Sequence, residues 1–505
     1  MSFSSPRKSH SSLNRRMFLA NSGKAAALAA AASSTTLRAL APAQGFPANF
    51  AWGAATSAMQ VEGYPYADGG GQSVWHVLDQ DTSKVKDGSN MLIADATYRI
   101  GLQDIPLMRQ IGIDSYRLSV GWPRVLPQGR GTPNAKALDY YDRLLDGLLQ
   151  AGITPWVTVY HFDYPEPLEQ AGGWLHQDSP RWLADYAHLL SARYSDRVQH
   201  WLTINEPNIF WTFSGEAGVM PPFHKLDREQ LALGAHHILL GHGLSVQAIR
   251  AAAKKPVEVG LPFAGQMSLP ATNSKADVEA ARTRSFTVEP QTILPQMPKL
   301  ACINNAWWLD PIYLGHYPEE GFKLFPTAEK LATPQAMATI HQPVDYCAVN
   351  LYFAPHVRGG KAGNAEMVPD APDAPRTHYG WTITPELLYW GPKFLHERYG
   401  RPIVITENGM SRVDKPGADG HVHDPERAAF LRNYLSNYLR ASREGVPLRG
   451  YFHWSLLDNW EFTQGFTEQF GLVYVDHTTQ KRTIKDSAAT YREIIRSHGA
   501  MLAKA

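Results

Sequence analysis

Two glutamates stand where a short apolar run gives way to polar residues: Glu206 in Thr203-Ile204-Asn205-Glu206-Pro207 and Glu407 in Ile405-Thr406-Glu407-Asn408-Gly409. Two carboxyl groups brought to one cleft can cleave an acetal, one protonating the departing oxygen while the other meets the anomeric carbon. Either glutamate alone has an ordinary explanation, since a strand-end glutamate often pairs with an arginine or caps a helix. Two of them, each beside an asparagine, shift the weight toward catalysis. No cluster has metal-ligand spacing and no Gly-rich turn is placed to cradle phosphate, so neither a metal nor another cofactor is expected.

These residues must be held by something. From Phe46 onward, short β-branched and aromatic runs alternate with longer amphipathic stretches, the pattern of repeated βα units. Eight runs are predicted as strands: 50–56, 115–120, 154–160, 200–205, 257–263, 345–352, 402–408 and 450–457. Helical patterns lie between them at 137–151, 180–194, 228–253 and 424–444. Eight parallel strands with intervening helices predict a single (β/α)8 TIM barrel over residues 44–505, with long loops at the C-terminal face of the strands, where such barrels carry their working residues. Tyr160-His161, Asn205-Glu206, Asn350 with Tyr352, and Glu407-Asn408 all fall at that end of their runs. The Pro-, Asp- and Gly-bearing stretch 359–380 reads as one of the loops over this face. His236, His237 and His242 lie on a helical pattern away from it and are assigned to packing or solvent.

Bulk properties exclude several classes. A formal net charge of +1 over 505 residues argues against electrostatic capture by nucleic acid or an anionic membrane. Both cysteines, Cys302 and Cys347, sit inside apolar runs and read as buried free thiols. Residues 1–43 differ from the body in carrying basic residues and no acidic ones. There Asn14-Arg15-Arg16-Met17-Phe18-Leu19 precedes the run 25–32, and Ala41-Pro42-Ala43 closes the segment. A charged region, a short apolar region and a small-x-small site make an export signal. The apolar part is too short to span a bilayer, which takes about 20 residues. The segment resembles a twin-arginine signal, which implies a periplasmic or secreted product of bacterial type.

The body resembles glycoside hydrolase family 1, the β-glucosidase and β-galactosidase family, from Phe50 to about Tyr491. The two glutamate segments match that family's acid/base and nucleophile motifs. Further matches are Phe50 to Gly63, Tyr116-Arg117-Leu118-Ser119, Tyr160 to Pro165, and Trp454-Ser455-Leu456-Leu457-Asp458-Asn459. The resemblance implies a retaining, exo-acting β-glycosidase taking a small β-glycoside or oligosaccharide, with Glu407 as nucleophile and Glu206 as acid/base. It implies that Arg117 and Tyr352 hold Glu407 ionised and that Asn205 meets the sugar 2-OH. Gln60, His161 and Glu461 would grip other hydroxyls, and Trp454 would floor the ring.

Departures from the family are also informative. Phe162 and Phe462 stand where the family has Trp, and phenyl cannot donate the hydrogen bond that indole can. A glycone altered at or near C3, or relaxed recognition there, is one expectation. Met59, Gly121, Leu351, Trp460 and Gln469 are further departures, expected at the mouth or its supports. Glu461 argues against a phosphorylated glycone, which it would repel. A transglycosylase and a silent sugar-binding protein are the alternative readings.

Overall fold

A computed structural model describes residues 45–292, 299–361 and 364–504. The export signal expected over residues 1–43 lies outside the described residues.

The strands form one parallel sheet closed on itself. In chain order they are β1 (Ala51–Ala55), β2 (Ser115–Ser119), β3 (Thr154–Tyr160), β4 (His200–Ile204), β5 (Glu258–Gly260 continuing as Pro262–Ala264), β6 (Cys347–Asn350), β7 (Ile403–Asn408) and β8 (Leu448–Trp454). The first half of β5 pairs with β4 and its second half with β6, with only Leu261 between. β8 pairs with β1, so the ring closes. Between strands run α1 (Ile105–Ile111), α2 (Ala135–Gln150), α3 (Ser179–Tyr194), α4 (Arg228–Ala252), α5 (Asn305–Tyr313), α6 (Leu387–Tyr399) and α7 (Pro425–Arg443), and α8 (Asp486–Arg496) follows β8. All eight expected runs are therefore barrel strands. Among the described residues no helix is long and apolar enough to cross a membrane.

Strand periodicity sorts side chains between the two layers. In β2, Tyr116 and Leu118 join the core beneath the helices, while Arg117 points into the barrel. The barrel interior is packed by Trp156, Leu202, Tyr346, Ala348, Val404, Phe452 and Trp454. Large rings there need small neighbours. A Cβ on Gly53 would stand 2.3 Å from the Phe452 ring, and one on Gly260 would stand 2.4 Å from Tyr346. Glycine at these two places is what lets both rings lie across the barrel.

The stretch 359–380 departs from a plain loop. His356–Gly359 pairs antiparallel with Ala365–Val368 and parallel with Leu269–Pro270, making a small three-stranded sheet on the active face. The polar composition hid it, because a short exposed hairpin has too few apolar positions to show alternation. Both cysteines are buried and free.

Candidate active site

Glu206 follows β4 with its backbone in the left-handed region, φ 44°, and opens a short helix, Pro207–Trp211. Its N–H is fixed on Pro262 O at 2.8 Å, so the middle of β5 seats the turn. A non-glycine residue in this conformation is strained, and such strain gathers at functional positions. Glu407 reaches the cleft by a different device. Ile405 pairs with Val349, but the next partner pair is Glu407 with Asn350, so Thr406 is an extra residue in β7. Strict alternation from Val404 would turn Glu407 outward; the bulge turns it in.

Both glutamates line one cleft with a volume of about 170 Å³, together with His161, Phe162, Asn205, Tyr352, Trp381, Trp454, Glu461 and Phe462. Their surroundings differ. Arg117, wholly buried, donates from Nη1 to Glu407 Oε1 at 2.5 Å and from Nη2 to Asn205 Oδ1 at 2.7 Å. Tyr352 Oη donates to the other Glu407 oxygen at 2.7 Å. Glu407 thus meets a full positive charge on one side and a phenol on the other. Glu206 has an amide instead: Asn350 Nδ2 donates to its Oε1 at 2.8 Å. Burial, and then repulsion from Glu407, raise the Glu206 carboxyl above the ordinary carboxylate range, with Asn350 opposing.

A continuous network orients these groups. Asn205 Oδ1 accepts from both Arg117 and Asn350, which fixes the amide and aims its Nδ2 at His161 Nε2, 3.0 Å away. His161 Nε2 must then be the acceptor, leaving its proton on Nδ1. Burial, with Arg117 near, pushes this imidazole well below the usual histidine value, consistent with a neutral ring. Thr406 Oγ1 donates to Asn350 Oδ1 at 2.6 Å, so the bulge residue braces the amide that serves Glu206.

Trp454 ends β8 and its ring lies 5.8 Å from that of His161, nearly parallel. Glu461 opens onto the cleft, yet burial by the walls and repulsion from Glu407 push its carboxyl up to about 8. Gln60 stands behind Glu461, not on the cleft surface. Its Nε2 is shared among Asn459 Oδ1, Trp460 O and Glu461 Oε2 at 3.0–3.1 Å, and its Oε1 accepts from Ser57. Phe162 and Phe462, both at positive φ, lie side by side on one wall, ring centroids 5.4 Å apart. Trp75 packs 4.8 Å from Phe462, and its own N–H is used on Phe162 O.

Of the other departures, Met59 and Gly121 line a separate small cavity with Glu62, Arg124 and Asp163. Trp460 is buried with its Nε1 on Ser89 Oγ at 3.2 Å, Leu351 is buried, and Gln469 accepts from Asp414 N. All five are supports and none lines the cleft. His236, His237 and His242 bond Tyr317, Trp174 O and Thr203 respectively from α4, away from the cleft.

Sequence reasoning did not single out an aromatic wall on the same cleft. Trp381 stacks between Tyr379 at 4.5 Å and Phe353 at 5.3 Å. The available signal was Phe353, Tyr379 and Trp381 in a connection otherwise rich in Pro, Gly and charged residues.

A closed parallel barrel with two unlike carboxyl groups at the C-terminal strand ends defines a glycosidase-type site. Comparison agrees: residues 43–500 match the model of glycosyl hydrolase family 1, and the chain belongs to that family. It is a glycoside hydrolase with the retaining β-glycosidase chemistry of that family. It is 36% identical over 464 residues to Beta-glucosidase A of Thermotoga maritima, covering 90% of this chain and 98% of that one. It is 37% identical over 456 residues to a 1,4-beta-D-glucan glucohydrolase of Thermotoga neapolitana, covering 90% and 99%. The structure of Beta-glucosidase from Thermotoga maritima in complex with glucoimidazole superposes with a TM-score of 0.81 at 36% identity, covering 90% of this chain and 100% of that chain.

Proposed function

We propose that the protein is an exo-acting, β-glucosidase-like enzyme that removes a terminal β-D-glycosyl unit by double displacement, with Glu407 as nucleophile and Glu206 as acid/base. The observation that carries this reading is the unlike setting of two carboxyl groups on one cleft: Glu407 on Arg117 and Tyr352, Glu206 raised by burial. Glu407 attacks the anomeric carbon as the C1–O bond breaks, and the Glu206 proton goes to the departing oxygen. Forming the ester consumes the Glu407 charge, which removes the repulsion on Glu206. Glu206, left as a carboxylate by the first step, is then stable in that form and takes a proton from the incoming water, whose oxygen attacks C1 and restores Glu407. His161, Asn205, Glu461 and Trp454 are assigned to the sugar ring, and Gln60 acts through Glu461. The names of the relatives, β-glucosidase and β-glucan glucohydrolase, support glucosides as the substrate class. The test follows product anomers by NMR during turnover of an aryl β-glucoside, with Glu407→Gln as the inactive control. Retained configuration is expected; an inverted product would overturn the roles.

A second reading concerns the glycone. Phe162 and Phe462 form one continuous wall without a donor, and Trp75 behind it has its N–H engaged elsewhere. A hydroxyl turned to this wall, by family resemblance the one at C3, gains no hydrogen bond there. An aryl 3-deoxy-β-glucoside is then expected to keep kcat/KM within about tenfold of the parent, since a neutral hydrogen bond contributes about 0.5–1.5 kcal/mol. A loss of a thousandfold would sink this reading.

Residues 1–43 are proposed as a twin-arginine export address, supported by their composition and by a family match that begins only at residue 43. Replacing Arg15 and Arg16 together by Lys is expected to abolish activity in the periplasmic fraction of a bacterial host. Unchanged fractionation would refute the assignment.

A further inference from the structure

Glu468 is a carboxylate that the chemistry above does not use, and its side chain is 1% exposed. An ionised carboxylate held out of water is costly unless partners meet it. Its partners come from two other connections of the barrel. Lys86, from the β1–α1 connection, approaches Oε1 at 3.1 Å; His378, from the β6–α6 connection, sets Nδ1 3.0 Å from both oxygens. Both partners are substantially open to solvent, at 50% and 40% side-chain exposure. The buried carboxylate thus sits beneath two surface side chains that converge on it.

Backbone N–H groups tie these three connections together, the β6–α6 one by way of Ser411 and Arg412 in the connection after β7. Lys86 N donates to Thr463 O at 2.8 Å, and Phe466 N donates to Asp87 Oδ2 at 2.8 Å. His378 N bonds Ser411 O, while Arg412 and Gln469 exchange backbone bonds. Glu468 lies where these ties cross. On its own connection stand Glu461, Phe462 and Phe470 of the cleft, and immediately after His378 comes Tyr379, whose ring stacks on Trp381. Tyr379 and Trp381 are partly exposed at the rim, whereas His161 and Asn205 are buried deep in the same cleft. A leaving group departs toward solvent past the rim, and aromatic faces there suit an aryl group or the C–H face of a second sugar.

We propose that Glu468, through Lys86 and His378, is a positioning residue that fixes the Tyr379–Trp381–Phe353 wall against the connection carrying Glu461 and Phe462, and thereby determines which leaving groups the enzyme accepts. The inference rests on the glycosidase reading above. Glu468 touches no reacting atom in this scheme. It acts through the wall, so its influence belongs to the first displacement, while the aglycone is still present. Hydrolysis of the glycosyl-enzyme, from which the aglycone has gone, is insensitive to it.

That separation supplies the test. Glu468→Gln, Lys86→Met and His378→Asn are compared with the wild type on β-glucosides of one glycone and several leaving groups: dinitrophenol, a bulky aryl alcohol and a second glucose. Expected for Glu468→Gln is a fall in kcat/KM of at least fivefold for the bulky aryl and disaccharide substrates, carried by KM. For the dinitrophenyl substrate, limited by hydrolysis of the intermediate, kcat stays within twofold, and the pH profile does not move. Lys86→Met and His378→Asn, both at the surface, give the same selective loss on a smaller scale and stand in if Glu468→Gln fails to fold. An equal fall for every leaving group, or no fall in any variant, overturns the proposal. A wild type inert toward all of these substrates sinks the glycosidase reading itself, and this inference with it.

Discussion

Glu206 must carry a proton to release the leaving group, and the forces that raise its carboxyl, burial and the charge of Glu407, let it do so near neutrality. As pH climbs through that raised value the acid is lost, so kcat/KM is expected to fall on the alkaline side. Glu206→Gln with a dinitrophenyl glycoside, which needs no proton on departure, is expected to lose that alkaline limb. Persistence of the same limb would assign it to another group. Tyr352 can be weighed separately. Tyr352→Phe deletes one hydrogen bond to a charged oxygen, a change of about 1.5–3 kcal/mol, or roughly 10- to 100-fold in kcat/KM. Glu461 yields a stability test. With its carboxyl moved from 4.5 to about 8, the folded chain keeps a proton that the unfolded chain has released, so stability declines as pH rises through that window. Glu461→Gln has no such decline. Its melting temperature relative to wild type is expected to rise between about pH 5 and about pH 8.5; a constant difference would refute the shift.

At the scale of elements, most strands were legible as β-branched or aromatic runs, of which β3, β4, β6 and β7 deliver polar residues at their C-terminal ends, and β3 was read to the residue. The long helices were legible from their apolar period, as α3 and α4 illustrate. Register was not. Thr406 looks like any other strand residue, and only its pairing with β6 reveals the extra position that turns Glu407 inward. The clasp at Glu468 was invisible for the same reason, its partners lying far along the chain, whereas the hairpin at 356–368 is local but too short and exposed to show alternation. The commitment of Gln60 to Asn459 and Glu461 is another long-range pairing of this kind. Barrel packing has its own test. Phe452 fills the space that Gly53 leaves, so Phe452→Ala is expected to cost about 3–5 kcal/mol in denaturant unfolding. A cost below about 1 kcal/mol would mean the barrel interior collapses around the gap.

Across the whole molecule, the start of the described chain is tied to its end. Phe46 N donates to His498 O at 2.8 Å, and Phe46 and Phe50 pack on Trp52 and near Tyr438. Relative to a chain beginning at Gln44, one beginning at Ala51 is expected to give up two buried phenylalanines and several kcal/mol. Equal melting of the two shortened chains would show that this seam contributes nothing. Every residue lining the cleft comes from the C-terminal ends of strands or the connections that follow them.

Phe162, Glu206 and Phe462 all hold positive φ angles at the cleft. Any adaptive search through this enzyme's specificity therefore draws on a restricted alphabet at positions 162 and 462. Val, Ile and Thr are disfavoured by the main chain before a ligand is consulted, while Gly, Asn and unbranched side chains are admitted. Randomised libraries at these two positions should return that skewed subset even under selection for folding alone, so new sugar preferences will arise through a narrower door than the open shape of the cleft suggests.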